Sequence, residues 1–231
     1  MGKPSPMGYF TAMSNPHNLL KNNRLWSQEM IEQDPDFYSR LVNQQAPEYL
    51  WIGCSDSRVP ANEIVGMEPG ELFVHRNVAN VVVHSDLNCL SVIEYAVRVL
   101  EVKHILIVGH YGCGGVKAAL HDSEPYGLAD NWLRHVRDVA RTHESLLPDE
   151  HNELYLDRLC ELNVLEQARN AAESTVVREA WRQGKELSVH SWVYRLTDGL
   201  VRDLNFSPRC HGEVEPGFFK ALTSPARLFE D

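Results

Sequence analysis

At 231 residues, 43% of them hydrophobic, the chain is long enough to bury a substantial core and has the ordinary composition of a globular protein. Its formal net charge of -10, without a cluster of Lys and Arg, argues against nucleic acid or an anionic membrane surface as the main partner, because both need positive charge. No apolar run approaches the length of a membrane span, and five cysteines at irregular spacing (54, 89, 113, 160 and 210) do not resemble a disulfide framework.

In chain order, residues 1–16 are rich in Pro, Gly, Ser and Asn and read as a flexible arm without the apolar stretch of a secretory signal. Pro6 stands where a myristoylation motif needs Ser or Thr, so a cytoplasmic protein is expected. From 17 to 34, Leu20, Leu25, Trp26, Met30 and Ile31 fall loosely at helical spacing, which predicts an amphipathic helix laid on the core or on a partner subunit. Short apolar runs at 49–54, 72–77, 104–109 and 187–194 read as strands. Between the second and third, Leu87, Leu90, Ile93, Val97 and Leu100 mark one face of a helix over 86–101, with Asp86 as its N-cap. Further helices are expected over 128–142 and 150–183, the second broken near 171–174. This alternation predicts an α/β fold, a mainly parallel central sheet flanked by helices, in a single domain over 1–231.

Metal-ligating residue types gather where two of these strands end. Cys54 closes the run 49–54, and His110 follows the run 104–109 with Cys113 three residues on. Ligands in open α/β sheets bind at the carboxyl ends of strands, so both runs can point into one cleft. Two thiols and an imidazole suit zinc, and three protein ligands leave a fourth position for chemistry. Gly109, Gly112, Gly114 and Gly115 allow tight turns around an ion, and Cys113 is placed to open a helix running to Leu120, whose N-terminus favours a thiolate. The competing reading is two buried cysteines and a core histidine. Cys89 reads as core, Cys160 has no recognisable ligand partner, and Cys210-His211 reads as incidental. Two thiolates would cancel the charge of Zn²⁺, so such a centre should acidify water less than one built from three neutral histidines, and activity should rise on the alkaline side.

Asp56 and Arg58 follow directly, spaced so that a guanidinium can clasp a carboxylate bidentately. The pair is either a structural salt bridge or a device that orients water beside the ion. If Arg58 let go, Asp56 would be free to swing onto the metal and close the site.

Cys54-Ser55-Asp56-Ser57-Arg58 with His110-Tyr111-Gly112-Cys113-Gly114-Gly115 resembles the signature of the β-class carbonic anhydrases. The resemblance continues through Phe73 to Asn80, Asp86 to Leu90, Asn131-Trp132-Leu133 and His190 to Tyr194, and covers about residues 17 to 205. It implies one Zn²⁺ per subunit held by Cys54, His110 and Cys113, a catalytic dyad of Asp56 and Arg58, and reversible hydration of CO₂ by water to bicarbonate and a proton. It also implies a homodimer or homotetramer in which the N-terminal helical arm packs on a partner subunit.

A finer resemblance is to the type II, bicarbonate-regulated subgroup, whose pocket away from the metal matches Trp51, Gly53, Val59, Arg76 and Tyr194, although Ser191 stands where that family has Gly. Filling it would displace Val59, part Asp56 from Arg58 and let Asp56 ligate zinc, a state favoured by low pH and bicarbonate. The bland alternative makes Trp51, Val59 and Tyr194 core residues and puts Arg76 in a structural ion pair. Two other functions use the same residues: a hydrolase of carbonyl sulfide or carbon disulfide, and a non-catalytic bicarbonate sensor closed by Asp56.

Overall fold

The computed structural model describes residues 15–43, 46–120, 127–224 and 226. The expected arm over 1–16 lies outside the described residues except for Asn15 and Pro16. The chain divides into two compact units, 1–45 and 46–231. In the first, Asn15 caps helix α1 (Pro16–Gln33) by accepting the His17 N–H, and Pro16 opens the helix where its missing donor is harmless. Helix α2 (Phe37–Asn43) follows, and Trp26 meets Phe37 and Tyr38 edge-on. No residue of α1 is buried; Leu19, Leu20, Leu25, Trp26 and Ile31 are all exposed.

The second unit is built on five strands, β1 (Tyr49–Cys54), β2 (Leu72–Asn77), β3 (His104–His110), β4 (Ser188–Arg195) and β5 (Leu200–Asp203), in the spatial order β2-β1-β3-β4-β5. The first four are parallel and β5 pairs antiparallel with β4. β1 and β3 sit in the middle and are buried almost throughout, which is why their sequences are continuous apolar runs rather than alternating ones. The order reverses between β1 and β3, so their carboxyl ends flank the crevice where open α/β sheets bind ligands.

One sheet face, with Leu50, Ile52, Ile105, Ile107, Val189 and Val193, carries the main core. It is covered by helices including α4 (Leu87–Arg98) and α7 (Tyr155–Ala172). The other face carries a smaller cluster of Trp51, Val59, Leu72, Leu106 and Val108, with Ala61 of the short helix α3 (Ala61–Val65) and the half-buried Trp192 and Tyr194. Helices α5 (Gly114–Ala119), α6 (Leu128–Thr142), α8 (Thr175–Arg182) and α9 (His211–Leu222) complete the unit.

Asp86 caps α4 as expected, accepting the Asn88 N–H at 3.0 Å. Of the expected apolar face, Ile93 and Val97 are buried and Leu90 and Leu100 pack against the core, joined by Cys89 and Ala96; Leu87 is the correction, at 78% exposed. A cap at 86 makes Leu87 the first helical residue, and the face inward from there begins at Cys89. The long helical stretch does break near 171–174, where Ser174 caps α8. Among the described residues, no helix is long and apolar enough to cross a membrane.

Candidate metal centre

Cys54 is the last residue of β1 and His110 the last of β3, while Cys113 is the N-cap residue of α5. The turn between the last two needs Gly112, whose φ of 66° is left-handed. Gly109 is needed for a different reason, since a Cβ there would lie 2.4 Å from Val164 Cγ2. The three ligating atoms converge within 4.8 Å of one another, and all three residues are buried.

The two sulfurs lie 3.8 Å apart. The His110 ring is oriented by its own neighbour, Nδ1 donating to the Tyr111 carbonyl oxygen at 3.1 Å. A carbonyl can only accept, so in the neutral ring the lone pair is on Nε2, and that atom is buried without a hydrogen-bond partner. Such an orphan in a buried site calls for a cation. The Cys113 hydrogen bond to the Cys54 sulfur holds the Cys54 thiol below its ordinary range, whereas the same bond and burial push Cys113 up. Two buried sulfurs this close resist ionising together until a cation takes up their charge.

Asp56 and Arg58 meet as their spacing suggested. Arg58 Nε donates to Asp56 Oδ1 at 2.9 Å and Nη2 to Oδ2 at 2.6 Å, while the Arg58 backbone N–H adds a third bond to Oδ1 at 2.9 Å. The guanidinium holds the Asp56 carboxyl well below the usual carboxylate range. Oδ2 lies 3.6 Å from His110 Nε2, so the carboxylate borders the metal position with Arg58 still attached.

Trp51, Val59 and Tyr194 share the smaller apolar cluster. Gly53 accommodates the Trp51 indole, whose Nε1 would lie 2.3 Å from a Cβ at that position. Arg76 pairs in register with Gly53, and its guanidinium donates to the carbonyl oxygens of Cys54 at 2.8 Å and Asp56 at 2.5 Å. It grips the backbone of the metal loop, a role that neither reading of the sequence contained.

Also missed was the support behind the centre. Ala79 and Asn80 adopt left-handed φ values of 65° and 47°, and α7 holds this segment with buried amides. Asn163 Nδ2 donates to the Ala79 carbonyl and Gln167 Oε1 accepts the Val82 N–H. Gly115 of α5 packs against the same segment, where a Cβ would come within 2.8 Å of Val78 Cγ1. No spacing singles them out, since Asn163 and Gln167 share their helix with Asp157, Arg158, Glu161, Glu166, Arg169 and Asn170.

Comparison with known proteins identifies the arrangement. The family model described as carbonic anhydrase matches residues 49–201. A carbonic anhydrase of Emericella nidulans is 49% identical over 189 residues, covering 81% of this chain and 82% of that protein. Among solved structures, the Coccomyxa β-carbonic anhydrase in complex with acetazolamide superimposes with a TM-score of 0.81 at 37% identity, covering 92% of this chain and all of that one. One of two tetrameric β-carbonic anhydrases from Sordaria macrospora gives a TM-score of 0.79 at 39% identity, covering 83% and 98%. The chain belongs to the β-carbonic anhydrases. It is therefore a carbonate dehydratase of a family that carries one zinc per subunit. The donors fit that ion: tetrahedral zinc–sulfur bonds of about 2.3 Å place two sulfurs roughly 3.8 Å apart, the separation found here.

Proposed function

We propose that the chain hydrates CO₂ reversibly, with Cys54, His110 and Cys113 as zinc ligands and Asp56 and Arg58 as the catalytic dyad. The observation that carries this assignment is His110 Nε2, a buried nitrogen without a partner, aimed where two sulfurs 3.8 Å apart converge. When bound, zinc would supply the Lewis acidity that lowers the pKa of a water at the fourth position, less far than a centre of three neutral histidines would. The protein's part is positional. Asp56, ionised and fixed by Arg58, accepts a hydrogen bond from the attacking water and turns its lone pair toward carbon. A C–O bond forms, one C=O π pair moves to oxygen, and the water proton leaves to solvent.

The same loop suits regulation by bicarbonate. Arg76 holds the carbonyls of Cys54 and Asp56, while Val59 fills the apolar cluster beside Trp51 and Tyr194. A bicarbonate ion taken up by Trp51, Gly53, Arg76 and Tyr194 in place of Val59 would draw the Arg76 guanidinium off those carbonyls. The loop carrying Asp56 would then be free to part from Arg58, and Asp56 would close the site. Five free cysteines suit a reducing cytoplasm. The exposed apolar residues of α1 suit an arm that packs on a partner subunit, so light scattering should give the mass of a homodimer or homotetramer; a monomer would remove that part of the reading.

Stopped-flow CO₂ hydration by zinc-loaded protein, from about pH 7 to pH 9 with and without bicarbonate, tests the whole. Fast hydration that collapses steeply toward neutral pH, more so with bicarbonate, is expected. A shallow single-ionisation profile would retain the enzyme and discard the switch. No hydration at any pH would discard the enzyme, leaving the bicarbonate sensor and the carbonyl sulfide or carbon disulfide hydrolase.

A further inference from the structure

We propose that His75, Asp86 and Cys89 form a second site for a borderline-soft divalent cation of the zinc class, separate from the Cys54–His110–Cys113 centre. One ring nitrogen, one carboxylate oxygen and one sulfur from these residues lie within 4.8 Å of one another. His75 comes from β2, while Asp86 and Cys89 are the N-cap and first turn of α4, so a bound ion would tie an edge strand to the helix that covers it. Imidazole, carboxylate and thiolate together are a donor set that zinc accepts, and a solvent molecule can complete the tetrahedron. Ordinary bond lengths place such donors roughly 3.5 Å apart, so closure asks for side-chain shifts of about 1 Å. Asp86 allows this without losing its cap, because Oδ1 alone accepts the Asn88 N–H.

Core packing accounts for Cys89 as a small apolar group, and helix capping accounts for one oxygen of Asp86. Neither accounts for an imidazole and a carboxylate converging on a fully buried sulfur. Burial, reinforced by the Asp86 charge, pushes the Cys89 thiol up to about 12. Burial also lowers His75, which keeps its ring neutral and able to donate a lone pair. A cation replaces the thiol proton, which passes to solvent, and relieves the crowding of thiolate against carboxylate, so affinity rises with pH.

Titration of the full-length, metal-depleted protein with Co²⁺ tests the site through stoichiometry and the sulfur-to-cobalt charge-transfer absorption, without reference to activity. Wild type should take two equivalents per chain. Cys89→Ala and Asp86→Asn, the latter keeping a capping side chain, should each take one. Cys113→Ala should lose the other equivalent and keep this one, which separates the result from the function proposed above. Cys210→Ala should still take two, distinguishing the site from the exposed Cys210-His211 pair. Saturation of wild type at one equivalent would overturn the proposal. So would a second equivalent that survives both Cys89→Ala and Asp86→Asn, or one that disappears with Cys210→Ala.

Discussion

Arg58 turns its Nε–Nη2 edge on one carboxylate, yet its side chain is 59% exposed, against 15% for Asp56. An ion pair with one partner in water adds little to folding, because solvent screens it and the long side chain loses freedom. The clasp therefore acts on where Asp56 points rather than on whether the chain folds. Replacing Arg58 by Ala should leave zinc content and melting temperature near wild type while lowering CO₂ hydration about 10–100-fold, the usual consequence of losing a group that orients a metal's surroundings. Asp56→Asn should behave similarly, since the amide keeps the shape and loses the charge. Parallel assays of metal content, thermal unfolding and hydration check this. A melting temperature that falls in step with activity would instead make the pair structural.

At the scale of elements, the centre depends on β3 and α7 approaching more closely than any side chain at 109 permits. In Gly109→Ala the new methyl would meet Val164 Cγ2 at 2.4 Å and Asn80 Oδ1 at 3.3 Å, in a region with no exposed surface to yield into. Overpacking of this kind costs about 1–3 kcal/mol. Adding Val164→Ala removes the first clash, so the double variant should be more stable than the sum of the single changes predicts; additivity in urea unfolding would refute the contact as the cause. The same close packing explains what the sequence could reveal. β1 and β3 announce themselves because strands buried on both faces must be apolar throughout, and the ligands follow because they stand at those strands' ends. β5 does not, since Leu200-Val-Arg-Asp is too short to carry a pattern and owes its pairing to β4 across the turn at Gly199, φ 73°. Helix α9 is masked by Pro216 and Gly217, and is held by Val214, Phe218, Ala221 and Leu222 in the core. Nor could any spacing disclose that Arg76 would grip backbone carbonyls or that α7 would supply amides to Ala79 and Val82, because both are partnerships with main-chain atoms that the fold alone brings near.

For the molecule as a whole, the response to acid should be set first by histidines on the smaller sheet face. His104 Nδ1 lies 3.3 Å from His190 Nε2, and both lie within 2.8 Å of the Ser188 hydroxyl. Burial, the neighbouring His104 and Arg209 hold His190 down to about 4, and burial lowers His104 as well. For His190 the unfolded chain binds its proton at about pH 6.5 and the folded chain only at about 4, so its contribution is complete above pH 6.5; that of His104 has the same sign. As pH falls through that window the unfolded state gains protons that the native state refuses, and stability declines until both states are protonated. Asp56 adds little above pH 4, because its contribution declines only as the unfolded carboxyl takes up its proton, at about pH 3.9, and goes on declining into stronger acid. After allowance for solvent screening, His190 should account for about 2 kcal/mol of the loss between pH 6.5 and pH 4. Urea unfolding at intervals across that range should show the slope in wild type and a flatter line in His190→Gln, which cannot titrate. Equal slopes in the two proteins would move the acid sensitivity elsewhere in the fold.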